Sequence, residues 1–89
     1  MKINEIRRKI DIIDKNVINL LFKRKELARK ISKIKKSKNM EIVQKDREKE
    51  VIEKANNCNE RYGKDKLSPL FINNLFKQII KESRKVQRW

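Results

Sequence analysis

Polar side chains interrupt apolar stripes at a few positions, and these are where the chain could do chemistry. Arg24 stands between Leu20 and Leu27 in the series Ile3, Ile6, Ile10, Ile13, Val17, Leu20, Arg24, Leu27, Ile31, Ile34. A charge in such a seam is costly unless it is paired. Lys35 follows 11 residues later, about three turns on and roughly 20° away in helical phase. The line Arg24, Ala28, Ile31, Lys35 runs along one face, and small Ala28 leaves room between two cations. Further on, Arg47 and Glu48 share the edge of an inner face with Gln44, and Ser83 and Gln87 stand where the apolar period asks for Ile or Leu. One reading joins these groups to each other as a structural network, with Arg24 paired to Glu48 and Gln87 capping it. The other starts from the excess of cation. Arg24, Lys35 and Arg47 face one Glu48, and buried cations without compensation are unstable. Two missing negative charges point to a dianionic guest. Arg7 and Arg8 fall near the start of the first helix, where its dipole disfavours cations, so a bound anion would suit Arg7; a Lys/Arg-rich composition accounts for Arg8.

These groups need elements to hold them. In the first series the steps alternate three and four, and nine of the ten positions are apolar, where chance in a 37% apolar chain gives about four. The pattern predicts one long amphipathic helix from about Asn4, a reasonable N-cap, to about Lys36. After the polar break Ser37-Lys38-Asn39, a second helix is expected from Gln44–Asp46 to Asn56 or Cys58. Its inner stripe is Gln44, Arg47/Glu48, Val51, Ala55, Cys58. Residues 61–66 form a loop with the only glycine. Ser68-Pro69 then reads as an N-cap with Pro at the first helical position. The third helix runs to about Arg88 through Ile72, Leu75/Phe76, Ile79/Ile80, Ser83 and Val86/Gln87. The fold class is all-α, three helices in a single domain over residues 1–89. A first helix of roughly 50 Å overshoots a compact chain of this size, whose radius of gyration is about 12 Å. Two shorter helices cannot cover its stripe, so an intertwined helical homodimer is expected.

Composition removes most other chemistry. The 89 residues include one Gly, one Pro, one Cys and no His. That excludes glycine-rich phosphate loops, histidine relays, Cys/His zinc sites and a disulfide framework. No metal and no cofactor is expected. Lys+Arg number 26 against 12 Asp+Glu, for a net charge of +14. That balance suits a nucleic acid, an acidic membrane or a small polyanion. No stretch reaches the ~18 apolar residues of a membrane span. The N-terminal residues lack a signal peptide's apolar core, so a cytoplasmic protein with no membrane partner is expected. One Trp, one Tyr and three Phe, with Phe22, Phe71 and Phe76 near apolar stripes, leave little for base stacking. Nucleic acid is therefore not expected as a partner.

The segments Ile6-Arg7-Arg8-Lys9-Ile10-Asp11-Ile12-Ile13-Asp14 and Leu20-Leu21-Phe22-Lys23-Arg24-Lys25-Glu26-Leu27-Ala28, followed by Lys35, resemble the long first helix of the all-α chorismate mutases. Asp46-Arg47-Glu48 resembles the family's motif opening the second helix. Leu75 through Ser83, with Gln87, resembles the third. The likeness covers essentially the whole chain. It implies a dimer of three-helix subunits with two equivalent sites, an isomerase that converts chorismate, a dicarboxylate, to prephenate on the way to Phe and Tyr. It implies carboxylate binding by Arg24 and Arg47, with Arg7 reaching the partner's site, and hydrogen bonds from Lys35 and Gln87 to the ether oxygen. Glu48 would accept from the ring hydroxyl and Ser83 would bond a carboxylate. Gln44 stands where some members carry Asp; it can accept the hydroxyl's bond but brings no charge. Gln87 donates without protonation, so activity is expected without acid pH. Three alternatives stand beside this reading: an isochorismate-pyruvate lyase of the same fold, a basic helical nucleic-acid-binding protein, and a coiled-coil assembly module.

Overall fold

A computed structural model describes residues 2–38 and 45–87, the side chains at 86 and 87 excepted. The described chain is all-α. Helix α1 spans Ile3–Ser37, α2 spans Lys45–Glu60 and α3 spans Pro69–Gln87, with a 3-10 turn at Gly63–Asp65 before α3. Helix α1 begins one residue earlier than the sequence suggests. Lys2 is its N-cap with no side-chain cap bond, and the Lys2 carbonyl accepts from the Glu5 amide at 3.1 Å. At the other end the Ser37 hydroxyl donates to the Ile34 carbonyl at 2.8 Å. Lys35 and Lys36 occupy that last turn, where the helix dipole favours positive charge.

Helix α3 is the centre of the subunit, packing against both α1 and α2. Its line Ile72, Phe76, Ile80 faces inward, with Ile72 and Ile80 buried. The inner face of α2 runs Val51, Ala55, Asn59, and Cys58, expected on that stripe, is exposed. Steps of four keep one side of a short helix against α3, and the second step from Val51 lands on Asn59. Its buried amide donates to the Leu67 carbonyl at 2.7 Å and accepts from the Leu67 amide at 2.8 Å. Asn56 adds a bond to Asn73 at 2.8 Å. Gly63 turns the connection with φ +56, in the left-handed region that a Cβ disfavours. The Ser68 hydroxyl accepts from the Phe71 amide at 3.5 Å, a long capping contact.

The shape is elongated, 56 × 25 × 16 Å, with a radius of gyration of 16.3 Å. Along α1 the stripe from Ile3 to Ile34 stays open, its nine apolar side chains 42% to 65% exposed. Phe22 and Phe71 are also exposed, with the Lys25 ammonium 5.8 Å from the Phe22 ring centre. The accessible surface is 8041 Å², against roughly 5,500 Å² for a compact monomer of this mass. No helix among the described residues is long and apolar enough to cross a membrane.

Candidate active site

Three helices bring charged groups to one cavity of about 380 Å³. Helix α1 supplies Arg24 and Lys35 across Ala28 and Ile31, α2 supplies Arg47 and Glu48, and α3 supplies Ser83 and Arg84. The spacing along α1 works as its period requires. Ala28, Ser32 and Lys35 are the residues that α1 buries, and small Ala28 lets α3 approach between the two cations. The Lys35 side chain is drawn into the cavity, leaving the residue 8% exposed.

Arg24 is half-buried. Its guanidinium donates to the Ser83 hydroxyl, which in turn donates to the Ile79 carbonyl at 3.1 Å. Burial first, and then the charge of Arg47, hold the Arg24 guanidinium below its ordinary pKa. The second cause places the two guanidinium charges close enough to repel, an arrangement an anion between them would relieve. Arg47 sits at the rim. It pairs with Glu50 at 2.6 Å, with both side chains at least half exposed, and Glu50 also takes Lys54 at 3.0 Å. Such exposed pairs contribute little, so Arg47 can exchange that partner for a ligand.

Glu48 has a different partner from the one expected. It does not pair with Arg24. Arg84 grips it from α3, with Nε donating to one carboxylate oxygen at 2.8 Å and Nη2 bonded to the carboxylate as well. This contact raises the Arg84 pKa. Glu48 lies in the first turn of α2, where the helix dipole also favours its charge. Arg84 was not among the residues the sequence suggested. A signal was present: the inward line Ile72, Phe76, Ile80 continues by one more step of four to Arg84.

Of the expected site residues, Arg24, Lys35, Arg47, Glu48 and Ser83 line the one cavity. Arg7 does not join them in its own subunit; it lies exposed on α1, 17 residues from Arg24 and about 25 Å away along the axis. Gln44 lies outside the described residues, as does the side chain of Gln87, whose backbone ends α3. A second, apolar groove of about 420 Å³ adjoins the cavity through Arg24 and Ser83, walled by Ile18, Leu21, Phe22, Leu75 and Ile79.

The family model described as chorismate mutase type II matches residues 6–88. Two curated relatives are each named bifunctional chorismate mutase/prephenate dehydratase. The protein from Buchnera aphidicola subsp. Schizaphis graminum is 39% identical over 82 residues, or 92% of this chain. The protein from Aquifex aeolicus is 40% identical over 63 residues, or 70% of this chain. The chain spans 20% and 17% of those two relatives' lengths. Among solved structures, a conserved hypothetical protein from Pyrococcus furiosus has a TM-score of 0.76 and 35% identity, with 96% of this chain and 93% of that one covered. A match that begins at Ile6, takes in all three helices and contains every cavity residue leaves one assignment: the chain belongs to the chorismate mutase type II family.

Proposed function

We propose that the chain isomerises chorismate to prephenate, working as an intertwined homodimer in the cytoplasm. One observation carries this reading: Arg24, Lys35 and Arg47 share a cavity with the acceptor Glu48 and the hydroxyl of Ser83, a set suited to a small dicarboxylate with a ring hydroxyl. The rearrangement breaks one carbon–oxygen bond and forms one carbon–carbon bond within a single molecule. No proton moves and no covalent adduct is needed, so a chain without histidine can run it. What the protein must supply is restraint of a compact reactive conformer and positive charge where the ether oxygen becomes negative.

In this reading Arg24 and Arg47 bind carboxylate, Ser83 adds a hydrogen bond, and Lys35 and Gln87 donate to the ether oxygen. Glu48 accepts from the ring hydroxyl, with Gln44 beside it. The partner's Arg7 completes the clamp, since the same residue in its own subunit lies about 25 Å from Arg24 along α1. The open stripe of α1 supports the dimer. The subunit exposes roughly 2,500 Å² more than a compact monomer would, an amount in keeping with an obligate interface. The whole of residues 1–89 then acts as one catalytic domain.

The test is to follow chorismate absorbance after adding purified protein. Chorismate should disappear and prephenate appear near neutral pH, and isochorismate should yield no pyruvate. No turnover of chorismate sinks the proposal, and a rate confined below about pH 5 would contradict the role given to Gln87.

A further inference from the structure

The bond between Arg84 and Glu48 has no part in the roles above, yet it decides where the cavity's carboxylate points. We propose that Arg84 is a positioning residue that keeps Glu48 from capping the cations meant for substrate. The inference rests on the chorismate reading of the site. Glu48 shares the cavity with Arg24, Lys35 and Arg47. A mobile carboxylate among three cations would pair with one of them, as the sequence itself suggested for Arg24. It would then compete with the carboxylates of the substrate for the same guanidinium groups. Arg84 prevents this by geometry. Its planar fork takes the carboxylate from the α3 side through Nε at 2.8 Å and through Nη2. A two-pronged grip of this kind fixes orientation as well as charge. The pair is partly shielded from solvent, with side-chain exposures of 35% for Arg84 and 22% for Glu48. Arg24 is left to the neutral Ser83 hydroxyl, and Arg47 to an exposed pair with Glu50, both partners that a dianion can displace.

Two consequences follow from the charges. With Arg84 in place, Glu48 has lone pairs left to accept from a hydroxyl, and its charge is offset before the dianion arrives. Without Arg84, the same carboxylate both repels the substrate and occupies its binding groups. The loss therefore falls on KM more than on kcat, and it requires the charge on Glu48.

The experiment is a double-mutant cycle on the purified chain, with kcat and KM measured for chorismate. Arg84→Ala should raise KM about tenfold and lower kcat by no more than about threefold. Arg84→Lys, which keeps a point charge without the fork, should raise KM by an intermediate amount, about three- to fivefold. In the Glu48→Gln background, adding Arg84→Ala should change KM by less than about twofold, because a neutral amide does not compete for the cations. Where Glu48→Gln makes turnover too slow to follow, calorimetric binding of prephenate gives the same comparison. An equal rise in KM in both backgrounds would mark Arg84 as merely structural and overturn the proposal, as would unchanged KM in Arg84→Ala or loss of its helical circular dichroism. Failure of the unsubstituted protein to consume chorismate would overturn the functional reading, and this inference with it.

Discussion

The two halves of α1 invert the usual rule of burial. From Ile3 to Leu20 the stripe is apolar and open, each of its six members at least 42% exposed. From Arg24 to Lys35 the helix buries Ser32 and Lys35 along with Ala28. Hydrophobic burial is the main driving force of folding, so this open stripe, which continues through Leu27, Ile31 and Ile34, marks a surface that the single subunit does not finish. A lysine drawn inside has the opposite meaning. Lysine is almost never fully buried without a partner, and a position that draws one inside is a functional candidate. On the proposed reading the first half of the helix serves assembly and the second, which alone buries polar groups, also serves the reaction, and substitutions should separate the two.

The largest effect is expected from charge in the open half. Ile10→Glu combined with Ile13→Glu should abolish activity and give a monomer by sedimentation. A dimer that persisted with full activity would break the assignment of this half to assembly. In the other half, Lys35→Ala should cost about 10²–10³ in kcat, the usual loss on removing a donor to developing negative charge. Helical content and dimer mass should not change, and a variant of near-full activity would refute the role of Lys35. The halves meet if the partner's Arg7 enters the site. Arg7→Ala and Arg24→Ala should each be weak alone, and mixing them should restore about a quarter of the activity, since half the dimers would be hybrids with one intact site. Sites confined to one subunit would show no recovery. The smallest effect should come from a buried polar group that serves neither purpose. Asn59→Ala, which loses both bonds to Leu67, should destabilise by about 1–3 kcal/mol, seen as a lower Tm at fixed protein concentration. Its kcat should be unchanged below that Tm, and a large fall in kcat would show that α2's anchoring reaches the site.

Much of this was legible along the chain. The three helices, the long stripe of α1 and the polar interruptions at Arg24, Lys35 and Ser83 follow from a period of 3.6 residues, which is a local property. So does the start of α3, where Ser68-Pro69 combines a capping hydroxyl with a ring that already holds the helical φ. Helix ends were less exact: α1 starts at Ile3 without the expected Asn4 cap, because the amides of an exposed first turn can bond to water instead of a side chain. Cys58 gave way to Asn59, since the sequence scored Cys as apolar and could not foresee that Leu67 would need both backbone groups satisfied.

What the sequence by itself determined was which side of each helix carries charge, because that depends on neighbours within two or three turns. The tertiary structure alone decided who pairs with whom. Glu48 and Arg84 lie 36 residues apart, and their meeting depends on how α2 and α3 are rotated against each other. Periodicity along a chain fixes the phase of one helix about its own axis; the relative rotation of two helices is set by how their side chains interlock.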